Sequence, residues 1–226
     1  MVGERHIRNI GAISEAEQER LGASRVLIVG CGGLGGTVFS HLLRIGVGHI
    51  TIVDGDSFDA TNLNRQLLCT AETVGMPKVA AAAELAAKTD TGVQVRAVHS
   101  RFDENNAAEL TAGHDVVIDA LDNVPSRRIL AAACEKAGLP LVYGAISGFV
   151  AQVSVLMPDR AVEIIERLYP DGASAGGKSC LSFTPGVCAG IQAAEAVKLL
   201  LKKPTELDGK LLYIDLLFNE WQYTEI

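Results

Sequence analysis

Val26-Leu27-Ile28-Val29-Gly30-Cys31-Gly32-Gly33-Leu34-Gly35 carries an apolar strand straight into a glycine-dense turn, and a helix-like segment continues from Gly33. In that context the glycines form a nucleotide-phosphate turn. Backbone N–H groups at a helix N-terminus attract anions, and only glycine lets phosphate approach so closely. Asp54 ends the next apolar run, Ile50-Thr51-Ile52-Val53, 24 positions after Gly30, where a carboxylate can bind ribose hydroxyls. Up to that point the chain reads as an ordinary dinucleotide-dependent dehydrogenase. The downstream polar segments break that pattern: Asn62-Leu63-Asn64-Arg65-Gln66, Lys78 and Asp122-Asn123 are polar and cationic groups that a dinucleotide site does not require. They suggest a triphosphate and its metal.

Outward from the turn, strand and helix patterns alternate. Ser14 to Leu21 reads as a short polar helix, Arg25–Val29 as the first strand, Gly33–Ile45 as a helix and His49–Val53 as the second strand. Pro77 opens a helix that continues through Leu85. A strand at Val93–Ala97, a short helix near Asn105–Leu110, an apolar strand at Val116–Ala120, a helix from Pro125 to Lys136 and a strand at Leu141–Gly144 complete the series. Continuous apolar strands separated by helices predict an α/β, Rossmann-like, mostly parallel sheet covered on both faces. After Gly144 the runs Val150–Leu156 and Ala161–Tyr169 read as consecutive strands, so the sheet is expected to gain an antiparallel C-terminal extension. Residues 171–179 read as a small-residue mobile loop, Pro185 introduces a helix reaching Leu201, and Lys210–Asp215 and Glu220–Thr224 read as closing strands. No repeat or linker divides the chain, and residues 1–226 are read as one domain.

Composition narrows the class. With 226 residues, 48% hydrophobic content and a formal charge of −7, the chain reads as a soluble acidic globule. Acidity argues against nucleic-acid binding, no apolar run approaches the ~20 residues of a membrane span, and the N-terminus lacks a signal-peptide core, so a cytoplasmic location is expected. The five cysteines, Cys31, Cys69, Cys134, Cys180 and Cys188, form no C-x-x-C pair, which predicts no zinc site.

The polar residues divide the chemistry. Asn62 and Arg65, three apart, share a face on a helical turn and can meet one phosphate chain. Lys78, at a helix start just after Gly75, can point at phosphate as a compact charge, or be one more solvated lysine. Asp122 lies just past a strand's carboxyl end, where ligands of open α/β sheets collect, and a carboxylate there suits magnesium. Asp122 and Asn123 both cap helices well, so one can cap the helix at Pro125 while the other does chemistry.

Six motifs stand in order: R-x-x-R (Arg5, Arg8), G-x-G-G-x-G (Gly30, Gly32, Gly33, Gly35), D-x-D (Asp54, Asp56), N-x-x-R-Q (Asn62, Arg65, Gln66), G-x-x-K (Gly75, Lys78) and D-N (Asp122, Asn123). Together they resemble the ThiF/MoeB/HesA adenylyltransferases, relatives of the ubiquitin-activating enzymes. The resemblance implies ATP and Mg2+ as cofactors, and adenylation of the C-terminal glycine of a small ubiquitin-fold sulfur carrier ending in Gly-Gly, with pyrophosphate released. It implies that Gly30–Gly35 hold the nucleotide, Asp54 (with Asp56 beside it) the ribose, and Asn62, Arg65, Gln66 and Lys78 the phosphate region. By the same resemblance Asp122 holds magnesium, Arg8 reaches across a homodimer into the partner's site, and Cys180 is matched to a thiol that some members use in carrier transfer.

Many members of the family it resembles carry two C-x-x-C pairs that bind zinc, and the chain departs from that pattern. Val162–Tyr169 occupies the region of the first pair, and no cysteine follows Cys188 to supply the second. The region between Cys180 and Gln192 is also shortened. Two other classes stay open at this level. A nicotinamide-dependent oxidoreductase would use the glycine turn and Asp54 but leave Arg65, Lys78 and Asp122 without roles. A catalytically silent scaffold would keep the fold, yet every charged motif position is filled.

Overall fold

Parallel strands whose residues are almost all buried can exist only between two layers of helices, and that is the architecture of the computed structural model. It describes residues 3–89, 92–173 and 179–226. A 3-10 turn, Glu4–Asn9, precedes α1 (Glu15–Ala23), β1 (Arg25–Val29), α2 (Gly33–Ile45), β2 (His49–Val53), α3 (Lys78–Thr89), β3 (Gln94–Val98), α4 (Ala107–Thr111), β4 (Val116–Asp119) and α5 (Val124–Ala137). Beyond them lie β5 (Leu141–Ser147), β6 (Val150–Leu156), α6 (Ala161–Leu168), α7 (Phe183–Leu200), β7 (Lys210–Asp215) and β8 (Glu220–Glu225).

The strands form one sheet in the order β3-β2-β1-β4-β5-β6-β7-β8. From β3 to β5 all pairings are parallel; β5-β6, β6-β7 and β7-β8 are antiparallel. Strand order reverses between β1 and β4, so the loops after these two strands splay apart and leave a crevice at the carboxyl end of the sheet. One apolar layer sets α2 and α7 residues such as Phe39, Leu42 and Cys188 against Ile28, Ile50 and Ile118. The other sets Leu130, Cys134, Ile164 and Ile165 of α5 and α6 against Leu27, Val117 and Leu141.

Local signals start and stop the helices. Ser14 caps α1 in a reciprocal box with Glu17, its Oγ accepting from Glu17 N at 3.2 Å while Glu17 Oε2 accepts from Ser14 N at 2.7 Å. Gly46, with φ of 89°, ends α2 in the left-handed conformation that suits glycine.

One element differs from the sequence reading. Ala161–Tyr169, read as a strand, is the helix α6. Ala161, Ile164, Ile165 and Leu168 fall at i, i+3, i+4 and i+7, a helical face packed on α5, and Glu163 and Arg167 pair one turn apart on the outside at 2.5 Å. Eight residues are too few to separate this pattern from alternation by eye. The antiparallel extension therefore consists of β6, β7 and β8. The mobile loop read at 171–179 lies largely outside the described residues. Among those described, no helix is long and apolar enough to cross a membrane.

Candidate functional site

The glycine turn follows β1, and steric contact dictates its composition. Gly30 has φ of 102°, and a Cβ there would meet the Ala120 carbonyl just past β4; a Cβ on Gly35 would run into the carbonyl of Gly30. The turn thus packs backbone to backbone on the end of β4 and on the first turn of α2. Gly32, at the N-cap of α2, supplies no side-chain cap, so that end of the 13-residue helix faces the crevice with uncapped N–H groups.

Asp54 stands at the end of β2 and grips this turn. Its Oδ2 accepts from Cys31 N at 2.7 Å and its Oδ1 from Asp56 N at 2.8 Å. Lys78 at the start of α3 is only 7% exposed, a level at which a lysine needs a partner. Its Nζ donates to Asp56 Oδ2 at 3.0 Å and lies 4.0 Å from Asp54 Oδ2. The reading of Lys78 as a solvated lysine is thereby set aside.

Asn62 and Gln66 are buried on the turn that covers the glycines. Asn62 Oδ1 accepts from Asp59 N at 3.2 Å, closing a short capped turn. Arg65 donates through Nη1 to Thr61 O at 3.0 Å and Asn64 Oδ1 at 2.9 Å, and its Cγ would lie 3.5 Å from a Cβ on Gly33. Gln66 Nε2 would lie 3.7 Å from a Cβ on Gly32, while its buried Oε1 has no donor. An amide oxygen left unpaired beside a glycine cradle is costly unless a ligand completes it.

The ambiguity between Asp122 and Asn123 is resolved. Asn123 Oδ1 accepts from Ser126 N at 3.0 Å and caps α5, with Pro125 in the first turn. Asp122 is exposed, and Asn123 Nδ2 meets its Oδ1 at 3.3 Å. The cap thus falls to Asn123, and the exposed Asp122 carboxylate stands just past β4, two residues beyond the Ala120 carbonyl on which Gly30 packs.

Cys180 also comes to this end of the molecule. Its carbonyl accepts from Asn64 Nδ2 at 3.1 Å and its thiol donates to Leu181 O at 3.5 Å. Burial pushes the thiol up while nearby Arg65 pulls it down. Cys134 and Cys188 are fully buried, their thiols pushed up to about 12 by desolvation, and Cys31 is driven higher still.

Arg8 does not join the site of its own chain. His6 packs on Gly46 at the far end of α2, and Asn9 Nδ2 donates to Ile45 O at 3.2 Å. Arg8 is therefore held one helix length from the glycine turn, about 20 Å for 13 residues.

Beneath the crevice lies a buried ionic group that the sequence reading missed. Arg127 Nη1 pairs with Asp119 Oδ2 at 2.6 Å, and its Nη2 donates to Leu121 O and, at 3.0 Å, to Gly144 O. Burial pushes the Asp119 carboxyl up, against the pull of Arg127. Reading Val116–Ala120 as simply apolar passed over Asp119; a carboxylate inside a buried strand, eight residues before an arginine, was the available signal. Two clefts of about 590 and 380 Å³ run along α5, and no residue of the glycine turn lines either.

A family model described as the ThiF family matches residues 4–226. The chain is 40% identical over 204 residues to the SAMP-activating enzyme E1 of Haloferax volcanii, spanning 88% of this chain and 75% of that protein. It is 36% identical over 202 residues to the molybdopterin-synthase adenylyltransferase of Escherichia coli, spanning 88% and 81%. It is 37% identical over 210 residues to the sulfur carrier protein adenylyltransferase of Thermus thermophilus, spanning 88% and 78%. The crystal structure of E. coli MccB with ATP superposes with a TM-score of 0.83 at 21% identity, over 99% of this chain and 72% of that one, which speaks for the fold.

Proposed function

The chain belongs to the ThiF family, and from that membership we propose that it uses ATP to adenylate the C-terminal carboxylate of a ubiquitin-fold sulfur carrier ending in Gly-Gly. Relatives named as adenylyltransferases make it an adenylyltransferase; the Gly-Gly terminus, magnesium, the homodimer, the cytoplasmic location and the assignment of site residues are our reading. So is the treatment of residues 1–226 as one adenylation domain. The observation that carries the reading is the packing of Asn62–Gln66 on the glycine turn, with the Gln66 oxygen unpaired. A nicotinamide site has no use for that segment.

The reaction asks little covalent chemistry of the protein. A carrier carboxylate oxygen attacks the α-phosphorus of ATP, the bond to the bridging oxygen breaks, and pyrophosphate departs from an acyl-adenylate. Positioning and cationic stabilisation supply the rate. The uncapped start of α2 receives phosphate oxygens, and Asp54, already fixed by two N–H groups, holds the ribose side. Lys78 exchanges Asp56 for phosphate, and Arg65 turns from Thr61 and Asn64 toward the same charge. Asp122 suits magnesium because it is an exposed hard oxygen donor that capping does not occupy, the cap of α5 falling to Asn123. Bound there, the metal would offset charge on the leaving phosphates.

Arg8 fits this scheme only from a second copy. Its own site is a helix length away, whereas a twofold dimer would present it to a neighbour, with the exposed Ile7 beside it. The test of the whole reading is ATP–pyrophosphate exchange with a candidate carrier. Exchange that needs both ATP and the carrier's terminal glycine supports it; heat protection by NAD but not by ATP would refute it.

A further inference from the structure

We infer that Arg127 is a positioning residue that sets the Asp122 carboxylate by clamping the peptide that carries it. The inference rests on the role proposed for Asp122. The Asp122 side chain is exposed and meets only the Asn123 amide among the described contacts, so its direction must come from the main chain. The residue before it is held at both polar groups. Leu121 N donates to Asp119 Oδ1 at 3.0 Å, and Leu121 O accepts from Arg127 Nη2. Asp119 and Arg127 are in turn locked to each other at 2.6 Å. One buried ion pair therefore holds both ends of a single residue, immediately ahead of Asp122.

The clamp is itself anchored. Arg127 reaches across to Gly144 O on β5, and its guanidinium carbon sits 4.9 Å from the Tyr143 ring centroid and 5.7 Å from that of Tyr169. Gln192 of α7, fully buried, donates to Asp119 O at 2.9 Å and to Val142 O at 3.0 Å. On the other side, Asn123 is fixed by capping α5. Asp122 is thus an exposed side chain set between two fixed points.

A merely structural ion pair needs no such arrangement. Buried pairs are often replaceable by apolar residues without loss of stability, so the two bonds to Leu121 call for another reason. The fork of the arginine supplies it: two nitrogens serve the Asp119 carboxylate and two carbonyls at once, which a lysine point charge cannot do.

The test is Arg127→Lys in the full chain, which keeps a charge for Asp119 and loses the fork. Manganese binding is followed by electron paramagnetic resonance with a non-hydrolysable ATP analogue, alongside the magnesium dependence of carrier-stimulated pyrophosphate exchange. Supports of metal ligands typically set 10- to 100-fold in metal affinity, and a weakening of about that size is expected in both titrations. Binding of the analogue in chelator should be unchanged. Asp122→Asn serves as the control that loses the manganese signal. Should Arg127→Lys not fold, Asp119→Asn, which keeps an acceptor for Leu121 N–H, is read in the same way. A folded variant with wild-type manganese affinity would overturn the inference, whatever its turnover. If wild-type protein exchanges no pyrophosphate with any carrier, the functional reading fails instead, and the manganese titration still reports on the clamp.

Discussion

Mixing two dead variants should restore activity, and the amount is fixed by geometry. On the proposed dimer, Arg8→Ala takes a cation from the phosphate site, and Asp122→Ala takes from it the carboxylate proposed for magnesium. An arginine supplied to a transferring phosphoryl group is worth about 10³-fold or more, so each variant alone should be near background. The 3-10 turn bearing Arg8 is pinned to the far end of α2 by His6 and Asn9, about 20 Å from Gly33. No side-chain rotation covers that span, so a role for Arg8 at the phosphates requires a second copy of the chain. Random exchange of equal amounts makes about half the dimers mixed. Each mixed dimer holds one site with intact Asp122 from its own chain and intact Arg8 from the other, and one site lacking both. One site in two, in half the dimers, returns roughly a quarter of wild-type carrier-dependent pyrophosphate exchange. The assay needs subunit exchange verified separately, for example by native mass spectrometry of a tagged mixture. If exchange is complete and nothing returns, Arg8 does not complete its neighbour's site.

Three further outcomes rest on particular contacts. Asp122→Ala should fold with stability within about 0.5 kcal/mol of wild type, since the side chain is exposed and Asn123 keeps the cap, yet lose exchange; a large drop in melting temperature would point to a structural role. Cys180→Ala should still form the adenylate, with any defect confined to a later transfer, and native protein should label at Cys180 before the buried thiols; fast neutral-pH alkylation of Cys134 or Cys188 would contradict their burial. Because folding raises those thiols above their unfolded value, the unfolded chain releases protons first as pH climbs. The stability they contribute is complete below about pH 9 and lost above it, which denaturant midpoints taken across that range would reveal. With no C-x-x-C pair, the protein should purify without stoichiometric zinc, and elemental analysis near one zinc per chain would reveal a site of scattered ligands.

The parts of this molecule that could be read in advance are those whose causes are local. Gly30 and Gly35 are glycines because neighbouring carbonyls leave no room for a Cβ, and the strand–turn–helix pattern around them says so directly. The strands β1, β2, β4 and β5 were legible because doubly covered strands are mostly apolar, and Asn123 with Pro125 announces a helix start whichever residue precedes it. The strand misread at Ala161–Tyr169 shows where local reading stops. Its nine residues suit either period, and what decides between them is α5, whose Glu135 accepts from Val162 N at 2.8 Å and receives the helix end from 27 positions away. The same reasoning applies to the site. The glycines, Asp54, Asn62–Gln66, Lys78 and Asp122 are the residues we propose to touch the nucleotide, and each stands in a short local motif that can be read without the fold. Arg127 points inward, and its meaning depends on Gly144, Tyr143 and Tyr169, which only the folded sheet brings within reach. Sequence patterns thus disclose the groups that would touch a ligand more readily than the groups that hold them still. The second set has to be found by asking which buried bonds the packing alone does not require.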